Sequence, residues 1–365
     1  MAPDRCSVWL DEDIRIRRRS GPRSGAPVTG PTRPEMFADQ VGNADRAGTG
    51  GKPVVAPRKG EQSWLSLKAG RRCRPCCMTW MTARTRDRGL ASGRIAVMIN
   101  DWIEDRFTLP KPDLPSLTGH APEPATQELR ARWGLGEKPI GNLIHLLEAH
   151  GVRIYSLTHE NTDLDAFSLY WHGQPFMFLG TEKSAERSRF DAAHELAHLV
   201  LHGEEREPYG AAAEREANQF AAAFLMPRSG VLAQRLRNAP AERILVAKRR
   251  WNVAAMALAH RTNELGLMTE WCYRSVCINL SRMGYRRGEP AGMGARESSQ
   301  LLTKVLQQLR TAGSGVHEIA GDLGLQPSEV QAHMFGLTPI VLTGGDSSGG
   351  STPSRPGLHI VRGGT

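Results

Sequence analysis

The sequence predicts an α+β fold, mainly helical with a small β-sheet, between two polar tails. Three observations predict it. Apolar residues recur at helical spacing in several stretches between residues 100 and 335, three short β-prone segments lie together near the middle, and Gly, Pro, Ser and Arg interrupt every apolar run over 20–59. At 365 residues and 40% hydrophobic content the chain can hold two domains and a sizeable core.

Residues 100–107 and 124–133 read as short helices separated by a Pro-rich connector, and 139–150 repeats Leu and Ile at helical spacing until Gly151 stops it. Residues 152–157 read as a strand. Segments 167–171 and 175–179 read as two more, around a His172-Gly173-Gln174 turn. Residues 187–202 form an apolar helix: Phe190, Ala193, Ala197 and Leu201 make one stripe, and Leu196, Leu199 and Val200 extend it to nearly every side, as in a core helix. Residues 214–226 form a further helix that ends at Pro227. Beyond it the chain is mainly helical, with two segments of helix-turn-helix layout. In 244–261 the turn falls at Trp251-Asn252; in 316–335 Ala320, Gly324 and Val330 take the small, turn-glycine and apolar positions. The expected divisions are a disordered arm over 1–95, a domain over 96–230, a helix-turn-helix-like region over 231–338 and a disordered Gly/Ser-rich tail over 339–365.

The net charge of +9 is not spread over the chain. The first 95 residues hold 16 Arg and 3 Lys against 9 acidic residues, a net of +10, and the rest nets to −1. A basic arm, with its run Arg15-Ile16-Arg17-Arg18-Arg19, makes DNA a candidate partner, although a solvated charge run is the plainer reading. Lys248, Arg249, Arg250 and Arg261 add charge to the first helix-turn-helix candidate. The second has no Lys or Arg over 327–333, which favours packing or partner docking, because DNA affinity comes largely from neutralised phosphates. Cys73, Cys76 and Cys77 lack the fourth ligand of a zinc knuckle; Cys272 and Cys277 read as reduced, buried thiols. No apolar signal segment opens the sequence and no run of 18 apolar residues occurs, so the expected compartment is the cytoplasm. Met98 is a candidate internal start.

The chemistry gathers at His194-Glu195-Leu196-Ala197-His198. Two histidines four apart on a helix share a face and can grip one metal ion, and a glutamate between them lies beside that ion, where it can act as a base toward water. Zn²⁺ takes imidazole nitrogens readily, and catalytic zinc sites use three protein ligands and keep one open position. A third donor is expected from the next helix. Ala213, Ala217, Phe220, Ala221 and Phe224 share its core face, with Glu216 on one margin and Glu214 on the other, and helical geometry does not choose between them. Tyr170, Tyr209 and His202 are further polar groups near the site in sequence.

The string from Arg189 to His202, followed by Glu214-Arg215-Glu216-Ala217-Asn218-Gln219-Phe220-Ala221, resembles the ImmA/IrrE family of prokaryotic metallo-endopeptidases. The strand-like segments and Leu265-Gly266-Leu267-Met268-Thr269-Glu270-Trp271 extend the likeness to about residues 98–336. Ala197 departs from the Gly more usual there, one small side chain for none. The resemblance implies a zincin-like peptidase core over 96–230 and Zn²⁺ held by His194, His198 and, as third ligand, Glu216, with Glu195 as catalytic base. It further implies that the protein cleaves a helix-turn-helix transcriptional repressor, relieving repression of a stress response or mobile element. The competing reading is a DNA- or protein-binding regulator whose zinc site is structural or sensory. An intact Glu195 speaks against it, because a structural site needs no base.

Overall fold

The computed structural model describes residues 83–157, 164–203 and 210–337. The basic run at 15–19, the cysteines of 73–77, Tyr209 and the tail over 339–365 lie outside the described residues.

Helix α1 (Ala83–Glu104) is followed by α2 (Pro122–Arg132) and α3 (Leu143–Ala149), then β1 (Arg153–Ser156), β2 (Ala166–Trp171) and β3 (Gln174–Leu179). The strands form one sheet in the order β1-β3-β2, with β1 parallel and β2 antiparallel to β3. Strands β2 and β3 are joined by a two-residue turn in which His172 and Gly173 both have positive φ, 50° and 77°, the twist that suits a tight hairpin.

Side chains alternate across the sheet, and both faces are covered. Ile154, Ala166, Met177 and Leu179 join a core with the helices that follow; Tyr155, Phe167, Leu169, Phe176 and Phe178 join a second core on the reverse face. The reverse layer is built by α1 together with α10 (Gln300–Thr311), α11 (Val316–Leu323) and α12 (Pro327–Met334), through Val97, Ile99, Ile103, Leu302, Val305, Ile319, Val330 and Met334. Helix α1 thus runs back through the expected boundary at residue 95. Its buried stripe includes Gly89, Ser92, Gly93 and Ala96, and Ser92 hydrogen-bonds buried His333 of α12 at 3.0 Å.

The front layer pairs α4 (Ala185–Ala197) with α5 (Ala211–Leu225), which pack closely because Ala192, Ala193, Ala197, Ala213, Ala217 and Ala221 are small and buried. Ser184 caps α4 by accepting the amide of Arg187. The last carbonyls of α5 are held by two buried arginines: Arg130 donates to Phe224 O and Arg261 to Met226 O, positive groups at the negative end of a helix. Short α6 (Arg228–Leu232), then α7 (Ala241–Trp251), α8 (Ala255–Glu264) and α9 (Glu270–Arg282), complete this side.

An irregular segment after α9 ties the C-terminal helices to α4. Glu186 of α4 accepts the Met293 amide at 2.6 Å, buried Lys248 lies between Glu186 and Glu289, and Arg189 of α4 pairs with Glu297. Two of the four cations expected on a DNA-binding face, Lys248 and Arg261, are therefore buried in internal ion pairs, the latter with Glu123. Helices α11 and α12 do meet at a left-handed Gly324, φ 65°. The face of α12 that carries Val330, His333 and Met334 is buried, which is the packing role its lack of cations favours. Among the described residues no helix is long and apolar enough to cross a membrane.

Candidate metal centre

The polar end of α4 carries the site. His194 and His198 fall on one face at a spacing of four, and at His198 the α-helix passes into a π-helical turn over His198–His202, closed by the Gly203 amide on His198 O at 3.1 Å. Such widened turns are rare and often mark functional positions. The two Nε2 atoms point at one another, 3.0 Å apart.

A carboxylate from the first turn of α5 completes the cluster. Glu214 lies 3.3 Å from His194 Nε2 and 3.8 Å from His198 Nε2, and all three donors lie within 4.8 Å of one another. The structure brings Glu214, not the expected Glu216, to the two histidines. Two residues on a helix are about 200° apart in rotation, so only one of this pair can face α4. Asn218, one turn beyond Glu214, shares its face and places Oδ1 3.2 Å from His194 Nδ1. Glu216 instead meets His202 Nε2 at 3.2 Å and leaves 46% of its side chain exposed, against 26% for Glu214.

The donor set fits zinc. Bonds of about 2.0–2.1 Å in a tetrahedron put ligand atoms about 3.3–3.4 Å apart, close to the separations found here. Electrostatics treat the two histidines differently. Burial, with His194 and His202 alongside, holds His198 well below the ordinary histidine range, so its imidazole is neutral as a ligand must be. For His194 burial acts in the same sense, but the Glu214 hydrogen bond and the nearby carboxylates outweigh it and raise the group. The Asn218 amide oxygen, as acceptor for His194 Nδ1, orients the ring with Nε2 toward the cluster.

Glu195, next to His194, is fully enclosed. Burial pushes its carboxyl up to about 7, although His194 and a hydrogen bond from Ser168 act the other way. Ser168 Oγ donates to Glu195 Oε2 at 2.7 Å. Ser168 belongs to β2, an edge strand of the sheet, so that edge runs beside the base. Tyr170, also on β2, directs its hydroxyl to Leu199 O at 3.2 Å. Sequence reading missed Asn218, Ser168 and the pairing of His202. Only Asn218 left a signal, a polar side chain one turn from Glu214 in a helix otherwise rich in Ala and Phe.

A buried carboxyl beside two converging histidines and an acidic third donor, on a helix pair backed by a small sheet, is the arrangement of a metallopeptidase. Residues 147–263 match the family model Peptidase_M78, described as the IrrE N-terminal-like domain, so this part of the chain carries the domain of the family that the sequence resembles. The match covers about a third of the chain. It starts at the end of α3 and stops in α8, a narrower span than the expected 98–336; helices α1 and α2 and helices α9–α12 lie outside it. No curated protein matches the sequence.

Proposed function

We propose that the protein is a zinc-dependent endopeptidase in which His194, His198 and Glu214 hold the metal and Glu195 is the general base. The observation that carries this is the convergence of three donors on one point with a desolvated carboxyl beside them that is not one of the three; a purely structural site has no use for the fourth residue. Bound zinc would supply a Lewis acid that acidifies water and polarises the scissile carbonyl. Glu195 takes the proton of the attacking water and returns it to the leaving amine, a task for which a carboxyl near neutrality is suited in both directions. Ser168 holds one oxygen of Glu195 in place. Strand β2, at one edge of the described sheet, carries Ser168 and so lies next to the base, where an extended substrate segment would run.

The substrate we assign is a transcriptional repressor of helix-turn-helix type, by the family resemblance. Co-expression with a repressor-like protein encoded beside this gene, followed by mass spectrometry of the fragments, tests it. Glu195→Gln preserves side-chain size but removes the proton acceptor. It is expected to retain zinc and lower cleavage by about 10²–10⁴-fold. Cleavage at the wild-type rate by this variant would remove Glu195 from the mechanism.

A further inference from the structure

We infer that His202 and Glu216 are positioning residues that form an outer relay on the metal ligand His198. The inference rests on the zinc reading above. Its starting point is the π turn, which places the His202 ring beside that of His198, centroids 5.0 Å apart, with Nδ1 facing Nδ1 at 2.8 Å. Two nitrogens at that distance share one proton. Nε2 of His198 lies in the donor cluster and must present a bare lone pair to a metal, so the proton belongs to His198 Nδ1 and is donated to His202 Nδ1. His202 then carries its own proton on Nε2 and donates it to Glu216 Oε2, 3.2 Å away. One tautomer assignment satisfies the whole chain.

Burial makes the arrangement directional. His198 and His202 are only 5% and 2% exposed, so both rings are held in the orientation their hydrogen bonds select. Glu216 closes the chain at the surface with a negative charge, which strengthens the donor character of His202 and, through it, the basicity of the His198 ligand nitrogen. The two histidine ligands are thus supported differently: His194 by the neutral amide of Asn218, His198 by a second imidazole and a carboxylate. Helix α5 supplies both carboxylates, Glu214 on the face toward the cluster and Glu216 on the face toward His202. A buried histidine that merely filled space would not need a charged partner at the end of its hydrogen-bond chain.

The test is a chelator-competition titration with zinc on the full chain, wild type against Glu216→Ala, Glu216→Gln, His202→Gln and Glu214→Ala, with the d–d spectrum of the cobalt(II) form as second readout. Glu216→Ala is expected to bind zinc about 10–100-fold more weakly and to shift the cobalt bands. Glu216→Gln, whose amide oxygen still accepts from Nε2, should recover part of the affinity. Should His202→Gln not fold, the Glu216 pair carries the test alone. Wild-type affinity and an unshifted spectrum in Glu216→Ala would overturn the relay. So would complete zinc loss matching Glu214→Ala, which would make Glu216 a ligand. Failure of the underlying metal reading is separate: wild type itself would take up no zinc.

Discussion

Ser168 controls where the Glu195 carboxylate points, because its hydroxyl is a hydrogen-bond donor at 2.7 Å from a carboxyl enclosed by protein. A hydrogen bond to a charged group contributes about 1.5–3 kcal/mol, so Ser168→Ala is expected to slow cleavage about tenfold or more while leaving zinc content unchanged. Wild-type turnover in that variant would mean that packing alone orients Glu195. The same scale shows what the sequence could and could not disclose. His194, Glu195 and His198 were legible because a spacing of four on one helix fixes their relation without any knowledge of the fold. The third donor comes from another helix, and choosing between Glu214 and Glu216 requires the rotation of α5 about its axis. That rotation is set by Ala217, Ala221 and Phe224 meeting the rest of the core. Resemblance selected Glu216; the packing turned Glu214 inward and left Glu216 to His202.

Helix α10 begins on a carboxylate borrowed from another element. Glu148 of α3 accepts the amides of Gln300 and Leu301, at 2.9 and 3.0 Å, and the hydroxyl of Ser299, which serves as the N-cap. Burial nevertheless dominates, and the Glu148 carboxyl is raised from 4.5 to about 7, with its hydrogen bonds acting in the opposite sense. Between those values the folded protein holds a proton that the unfolded chain has released. The stability due to this group is therefore full below about 4.5 and is lost as pH rises through about 7. Urea unfolding across that window should show wild type losing up to roughly 3 kcal/mol relative to Glu148→Gln, which has no proton to lose. Parallel pH profiles for the two proteins would refute the shift. At this scale the strands, the hairpin turn at His172-Gly173 and helices α3 to α5 followed from periodicity and turn chemistry. The partnership of Glu148 with Ser299 did not, since 151 residues separate them and nothing local in either segment points to the other.

Among the described residues the sheet is enclosed between two helical layers, and the candidate metal centre lies in the front one. The reverse layer joins the start of the described chain to its end: α1 packs with α11 and α12, and the segment after α9 is pinned to α4 by Glu186, Arg189 and Lys248. The sequence concealed this. The first half of α1 meets the core with Gly89, Ser92, Gly93 and Ala96, residues too small to produce an apolar periodicity, and the arginines before and among them, Arg84, Arg86, Arg88 and Arg94, suggest a solvated arm. Likewise the glycine turn of α11 and α12 imitates a DNA-binding motif, while their buried residues serve the core. A chain starting at Met98 would cut α1 within this stripe, removing buried Ala96 and Val97 and depriving His333 of Ser92. Burial of one such side chain is worth about 1.5–3 kcal/mol and an orphaned buried polar group costs about 1–3 kcal/mol, so the loss should approach roughly 3 kcal/mol or more. A chain starting at residue 83 keeps every one of these contacts. Thermal unfolding of the two should therefore place the Met98 chain several degrees lower, with Ser92→Ala in the longer chain reproducing part of the fall. Equal melting temperatures would show that the first turns of α1 add nothing to the fold and would return the domain boundary to the region of residue 95.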